Sequence, residues 1–241
     1  VRHAACFAQV SRVRSGVCVV LRREGHGAPR VGESRLPMAI AVIAVAAMNL
    51  LMPTVYQVTE VGHLLYPALI LVLLLILVIA DPRGLDHERR WARVLSGILI
   101  AVITLVALAT ALRVILVVLG DPEAIVALEL LRVAVVLWFT INITFGLWYW
   151  YLDCGGPAAR AQGSTAVRPS FAFPEQDREQ PEGEFWYPQF VDYLALSFYT
   201  AMAFGPAEVQ PLRHWAEIWM LTQELFSLCM IYIVLTQALG T

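Results

Sequence analysis

The sequence predicts an all-α membrane protein with about five transmembrane helices and one re-entrant, pore-type half-helix. Of its 241 residues, 59% are hydrophobic and only 15% are charged, whereas soluble domains are nearer half apolar and one quarter charged. Several apolar stretches approach the roughly 20 helical residues that cross a hydrocarbon core of about 30 Å. The formal net charge of −2 does not favour a nucleic-acid partner, so membrane lipid is the expected environment.

Residues 1–36 are predicted to form a basic N-terminal arm. Seven arginines lie there among small residues and glycines: Arg2, Arg12, Arg14, Arg22, Arg23, Arg30 and Arg35. The longest apolar run, "GVCVVL", is too short to cross a membrane and shorter than the centre of a signal peptide. We expect either a disordered arm or a translated segment that the mature protein lacks.

Residues 37–122 are predicted to form an N-terminal three-helix membrane region. Its apolar stretches are 37–56, 64–80 and 92–119. The dipeptide Asp81-Pro82 is a strong stop for the second helix. The sequence "GDP" at 120–122 predicts a tight hairpin to the next helix, because proline suits the first position of a helix.

Residues 123–241 are predicted to form a second, pore-like module. An outer helix over 123–151 ends in the aromatic run "LWYWYLD", which is typical of a membrane interface. Glycines, prolines and acids then make 152–189 a polar linker that should break helices. An inner helix is expected over 212–239.

The stretch "FVDYLALSFYTAMAF" predicts a helix that enters the membrane without crossing it. About 15 residues give a helix of about 22 Å, which is too short to cross and too apolar for water. The following "GPAEVQP" is not helical, and irregular backbone at membrane depth needs surrounding protein or a wet cavity. We therefore predict a re-entrant helix and turn over 190–211, with Asp192 as the cap of its first turn.

The segment "SFYTAMAFGPAEVQPL" resembles the pore loop of potassium-type cation channels, which reads roughly S-F-x-T-x-T-T-V-G-Y-G-D-x-x-P-L. Identical positions are Ser197, Phe198, Thr200, Gly205, Pro211 and Leu212. The resemblance covers about 123–239 and extends to bacterial multi-span membrane proteins with degenerate filters. It implies a homo-oligomer, a tetramer in the family, whose shared pore passes monovalent cations.

The filter-like positions that this resemblance implies depart from the family pattern. They are Thr200, Ala203, Phe204, Gly205, Pro206, Ala207 and Glu208. Filter carbonyls replace the hydration shell of the ion in such channels, but Ala207 resists positive φ and Pro206 has a fixed φ and no N–H. We expect the loop shape to be kept and potassium selectivity to be lost. Glu208, which stands where the family has Asp, either forms an acidic ring in an oligomer or is a solvated loop acid.

A polar face is predicted along the inner helix. Its members are Glu217, Gln223, Glu224 and Ser227. At 100° per residue these positions share one side of the helix, with Gln223 at its border. One interpretation is a water-lined pore face on which Glu224 attracts cations. The other is a polar seam between helices in which burial keeps Glu224 protonated.

Charged residues on both sides of the "GDP" hairpin fall at similar membrane depth. Arg113 precedes the hairpin, and Glu129 and Arg132 follow it. Charges at that depth are costly and usually pair. We interpret them as a structural cluster that pins the hairpin, since a voltage sensor needs several arginines at a repeated spacing. Asn142 is expected to link helices by hydrogen bonding.

The sequence therefore predicts an integral membrane protein that resembles an ion channel and passes cations through an oligomeric pore with a non-standard filter. The alternative is a non-conducting membrane scaffold or regulatory subunit, which Pro206 and Ala207 favour. We find no catalytic constellation, metal site or cofactor site in the pattern, so an enzyme is not expected.

The expected location is the cell membrane, as a multi-pass protein of the bacterial inner membrane. Arginines concentrate before the first apolar stretch and again at Arg83, Arg89, Arg90 and Arg93. The positive-inside rule then places the N-terminus in the cytoplasm.

Overall fold

The computed structural model describes residues 33–53, 56, 62–80, 90–120, 127–161, 167–176, 186–203 and 208–239, which are mostly helical. The basic arm predicted over 1–36 lies outside these residues except at its last four positions. The helices predicted from the apolar stretches are present, and their bounds differ from the predicted ones by a few residues.

The longest helices are α3 (Arg90–Gly120), α4 (Ala127–Leu152) and α7 (His214–Leu239). Each of these helices coincides with a stretch that is long and apolar enough to cross a membrane. The 3 candidate spans among the described residues are Trp91–Val118, Leu128–Gly155 and His214–Leu235. Apolar residues make up most of each of these helices, as expected where lipid replaces water. The prediction of a helical membrane protein is confirmed at this level.

Shorter apolar helices complete the set. They are α1 (Leu36–Leu50), α2 (Gly62–Ala80) and α6 (Phe190–Ala203). Proline near the start of α1 fits the first turn, where its missing N–H is not needed. At 15 and 14 residues, α1 and α6 are each only about 22 Å long.

The end of α4 at Leu152 is where several elements of the chain meet. Arg35, before α1, donates a hydrogen bond from Nη1 to the carbonyl of Leu77 near the end of α2, at 3.5 Å. Tyr151 donates from its hydroxyl to the carbonyl of Arg93 near the start of α3, at 3.2 Å. Trp150, near the end of α4, donates from Nε1 to the carboxylate of Glu33, before α1, at 2.9 Å. Helices α1 to α4 therefore alternate in direction, and we call the end of the bundle that contains Leu152 the site end.

The described residues of the predicted polar linker, 152–161, 167–176 and 186–189, fold against the site end. They contain the short helix α5 (Pro157–Ala161) and the strand β1 (Phe171–Ala172). Strand β1 pairs antiparallel with β2 (Gln210–Pro211). The polar composition of this segment did not predict that it packs on the helices. A few buried aromatic side chains, Phe171 and Phe173 among them, hold it there.

Buried aromatic rings form the core at the site end. Phe171 packs against Tyr149 with ring centroids 5.1 Å apart, and Phe173 packs against Tyr193 at 5.3 Å. Large apolar side chains on the outer faces of α2, α3 and α7 are exposed instead. Such all-round apolar helices belong in lipid, so the aromatic core rather than the outer surface fixes how the helices pack.

Candidate functional site

Helix α6 runs back along α4 from the site end. The ring of Phe190, its first residue, lies 5.9 Å from the ring of Trp150. Further along, Ser197 donates a hydrogen bond to the carbonyl of Asn142 at 2.6 Å. Phe198 packs edge-on against Trp138 at 5.7 Å. These contacts follow α4 in reverse order, so α6 is antiparallel to it.

Helix α7 starts at the same end as α6 and runs in the same direction. The Trp215 ring lies 6.1 Å from Phe171, at the site end, and the Trp219 ring lies 5.5 Å from Trp148. Between the two helices the chain has returned to its starting level, because the amide of Leu212 donates to the carbonyl of Ser170 at 2.8 Å. The segment 190–213 thus leaves the site end and comes back to it.

A glycine in α4 permits the close approach of α6. A Cβ atom added at Gly146 would lie 3.1 Å from the Cα atom of Leu194 and 3.3 Å from its Cδ1 atom. Small residues at helix crossings allow backbones to approach in this way in membrane proteins. The contact explains why α6 packs directly on the α4 backbone at this level.

A buried hydrogen-bond network joins α4, α6 and α7 at one depth. Gln223 donates from Nε2 to Asn142 Oδ1 at 2.6 Å, and to the carbonyl and Oγ of Ser197 at 2.7 and 2.8 Å. Tyr149 donates from its hydroxyl to Gln223 Oε1 at 2.7 Å. Asn142, Ser197 and Gln223 are all 0% exposed. The predicted linking role of Asn142 agrees with this geometry.

A second polar cluster closes the site end beyond α4. Asp153 is 1% exposed, and it accepts hydrogen bonds from the Ser170 amide and the Tyr193 hydroxyl, both at 2.6 Å. The turn that follows has positive φ at Cys154 (50°), Gly155 (80°) and Gly156 (98°). Glycine adopts such angles at little cost, so the pair of glycines lets the chain reverse directly after the buried acid.

Arg160 is the buried cation of this cluster. Its Nη1 donates to the carbonyls of Trp150 and Asp153 at 2.9 and 2.8 Å. Its guanidinium lies 4.9 Å from the centre of the Tyr193 ring, a cation–π contact. Its Nη2 atom is 3.9 Å from a carboxylate oxygen of Glu33. Buried charges require such partners because removing a charge from water is costly.

Glu33 completes the cluster from a distant part of the chain. It is 4% exposed and accepts hydrogen bonds from Trp150 Nε1 at 2.9 Å and from the amide of Phe190. Burial raises the pKa of its carboxyl above the ordinary value, although Trp150, Arg160 and the Phe190 amide act to lower it. The cluster holds the first turn of α6 in place through hydrogen bonds and charge interactions. It contains no nucleophile paired with a base, so we assign it a structural role.

Of the seven filter-like residues, the structure describes Thr200, Ala203 and Glu208. Thr200 is fully buried, and its hydroxyl donates to the carbonyl of Leu196 at 2.9 Å. Ala203 ends α6, and Glu208 is exposed. Phe204, Gly205, Pro206 and Ala207 lie outside the described residues.

The predicted polar face of the inner helix is divided. Gln223 and Ser227 are 0% and 1% exposed and face the other helices. Glu217 is exposed, and Glu224 is partly exposed. This division favours the polar-seam interpretation for Gln223 and Ser227 and leaves the two acids on the flank of α7.

The charges around the "GDP" hairpin lie on the outside of α3 and α4. Arg113, Glu129 and Arg132 are all exposed. The ion pairs that the structure gives for its described residues do not join these three to one another. A charge cluster that pins the hairpin therefore stays a prediction.

Sequence reasoning missed the cluster at the site end. Its members are Glu33, Asp153, Arg160, Ser170 and Tyr193. The available signal was an acid followed by two glycines and a proline at the end of a long apolar helix. Asp192 lies inside the first turn of α6 rather than at the N-cap position, and its Oδ2 accepts the amide of Gln189 at 2.8 Å, as the acid of a capping box does.

Comparison with protein-family models, with curated proteins and with solved structures finds no match for this chain. Within the described ranges, no group of 3 or more His, Cys, Asp or Glu side chains is arranged to hold a metal ion. Function is therefore inferred from the paired helices α6 and α7 and from the two polar clusters that hold them.

Proposed function

We propose that this protein is a channel-like integral membrane protein in which the segment 190–211 re-enters the membrane. Cations would pass through a pore that several copies share, four by the resemblance to potassium-type channels. The observation that carries the proposal is that α6 and α7 begin at the same end of α4 and run in the same direction.

The depth of α6 supports a re-entrant passage. The stretch Leu128–Gly155 of α4 is long enough to cross a membrane. Helix α6 follows α4 from Trp150 to Trp138, which corresponds to about 18 Å along the α4 axis. If α4 crosses, the C-terminal end of α6 lies well below the surface, and the backbone that follows needs protein or water around it. A shared pore would supply both.

The proposed membrane topology counts α1, α2, α3, α4 and α7 as five crossing helices and α6 as the half-helix. Although α1 is about as short as α6, it is counted as crossing because the apolar stretch 37–56 continues beyond its end at Leu50. Among the described residues, the site end then holds Arg35 before α1, Arg93 near the start of α3 and Arg160 after α4. By the positive-inside rule this end is cytoplasmic in a bacterial inner membrane.

Acidic side chains support cations as the permeating ions. Glu208 and Glu217 are exposed, and Glu224 is partly exposed on the same module. Rings of acids attract cations at the mouths of channels. In an assembly around α6 and α7, these carboxylates would repeat in every copy.

Ion flux into liposomes tests the proposal. Purified full-length protein should pass K⁺ or Na⁺, and Glu224→Gln and Glu208→Gln should each reduce the flux several-fold. Thr222→Val is the matched control, since Thr222 is an exposed, uncharged neighbour on α7. Absence of flux under every ionic condition, from protein shown to be folded, would eliminate the conducting function.

A non-conducting scaffold or regulatory subunit is the second candidate. It is favoured by the burial of Ser197, Gln223 and Ser227 between helices. Polar side chains that line a water-filled pore would instead be exposed to the water in it. A strictly monomeric state by native mass spectrometry, together with absent flux, would support it.

A further inference from the structure

A cavity of about 290 Å³ lies at the start of α6, on the side of the site end. It is lined by Trp186, Tyr187, Gln189, Val191 and Asp192. The proposed pore does not use this cavity, and its volume is at the small end of the range for ligand sites. A ligand that fills it therefore has only a few heavy atoms inside.

The cavity combines two aromatic rings with one carboxylate. Trp186 is held in place by packing against Phe173, with ring centroids 5.8 Å apart, and Tyr187 follows it directly. Tryptophan and tyrosine faces attract cations, and they form the aromatic cages that bind quaternary ammonium groups. The indole and the phenol are also the side chains that favour the membrane–water interface.

The carboxylate of Asp192 lies at the edge of this cavity. Its Oδ2 atom accepts the backbone amide of Gln189, and the ion pairs of the described residues do not include Asp192. Glu175 and Glu33 act on it as further negative charges. Arg160 of the site-end cluster is directed towards Glu33 and the Tyr193 ring.

Among the described residues, the carboxylates of Glu175 and Glu33 interact with Asp192 as like charges. The N-terminus of α6 contributes about half a positive charge, and the carboxylates of Glu33 and Asp192 both bond to amides of that first turn. A cation bound at the aromatic side of Asp192 would face its carboxylate.

We propose that this cavity binds an organic ammonium group, either of a free small amine or of a membrane lipid headgroup. The aromatic rings supply the cation–π surface and Asp192 supplies the opposite charge. An anionic ligand is disfavoured by the carboxylates, and a bare metal ion by the shortage of oxygen ligands among the lining side chains.

Binding of tetramethylammonium chloride to the full-length protein tests this proposal. The protein is kept in a maltoside detergent, which carries no ammonium group, and binding is followed by calorimetry and by tryptophan fluorescence. We expect saturable binding. Asp192→Asn should weaken it at least about fivefold, because Asn keeps an oxygen for the Gln189 amide and loses only the charge. Glu129→Gln, at an exposed acid near the start of α4 and away from the site end, should leave binding unchanged.

A second variant guards against misfolding of the first. Val191 is 55% exposed, so Val191→Lys should fold normally and place its own ammonium group in the cavity. It should abolish binding of the probe. Absent saturation, or equal binding by wild type, Asp192→Asn and Val191→Lys, would overturn the proposal.

Lipid nanodiscs separate the two sources of the ammonium group. If a lipid headgroup is the natural occupant, phosphatidylcholine discs should suppress binding of tetramethylammonium and phosphatidylglycerol discs should not. Equal binding in both discs identifies a free amine as the occupant. Either result supports an ammonium site, and loss of binding in phosphatidylglycerol discs contradicts it.

Discussion

Glu33 and Phe190 are 157 residues apart in the chain, and the amide of Phe190 donates a hydrogen bond to the Glu33 carboxylate. This bond supplies an acceptor for one of the first N–H groups of α6, which have no partner inside the helix. A residue before the first helix therefore holds the start of the helix that we propose to re-enter the membrane.

Glu33→Ala should lower the free energy of unfolding by about 3 kcal/mol, because Arg160 loses a buried counter-charge and two donors lose their acceptor. Denaturation in mixed micelles, followed by circular dichroism, measures the change. Glu217→Ala is the matched control, since Glu217 is an exposed acid of α7. Equal stabilities for the two variants would contradict a supporting role for Glu33.

The stability that Glu33 contributes should fall as the pH rises. Its folded pKa is above the ordinary value of 4.5 because burial penalises the charged form. A group with a raised folded pKa contributes fully below its unfolded pKa, and this contribution is lost as pH rises through the folded value. We expect the difference in unfolding free energy between wild type and Glu33→Gln to be largest below the ordinary pKa of 4.5 and to decline as the pH rises above it. A difference that grows with pH would show that the pKa is lowered instead.

Gln223→Leu should destabilise the protein by about 1–2 kcal/mol, the upper range for interhelical hydrogen bonds in membrane proteins. The substitution leaves the Tyr149 hydroxyl, Asn142 Oδ1 and the Ser197 hydroxyl without their shared partner. Thr222→Val provides the comparison, because its hydroxyl bonds only within α7 at the surface. Unfolding in mixed micelles should separate the two variants, and equal stabilities would count against the network.

Gly146→Ala should destabilise the α4–α6 contact by about 1–3 kcal/mol, since the new Cβ would lie 3.1 Å from the Leu194 backbone. Gly120→Ala is the control, because nothing lies within 4 Å of a Cβ at Gly120. Hydrogen exchange of the α6 amides should rise in the first variant alone. Unchanged exchange in Gly146→Ala would mean that α6 does not pack this closely.

Single cysteines at Gln189 and Glu208 should be labelled from the same side of the membrane, if 190–211 is re-entrant. A cysteine at Gly120, at the far end of α3, should be labelled from the opposite side. Labelling of intact and opened membrane vesicles with an impermeant maleimide provides the measurement, in a parent protein in which Cys6, Cys18, Cys154 and Cys229 are all replaced by serine. If the cysteine at position 208 is labelled from the same side of the membrane as the cysteine at position 120, α6 crosses the membrane completely.

Much of the fold could be predicted from the sequence because membrane helices are defined locally. The stretches 64–80 and 92–119 are apolar for the length that lipid requires, and α2 and α3 occupy them. The linker was harder, because Phe171 and Phe173 become buried only when distant elements cover them. Most residues of the linker are polar, so its composition does not reveal that these two aromatic side chains become buried.

The sequence by itself determined that the chain is helical and apolar enough for a membrane, that α6 is too short to cross one, and that Asp192 caps it. The tertiary structure alone decided which polar residues face inward. Gln223 meets Asn142 and Ser197, and Glu33 meets Arg160 and Phe190. The physical reason is that hydropathy and helix capping act within one or two turns of the chain. A buried charge or amide is stable only when a partner from another helix is brought to it.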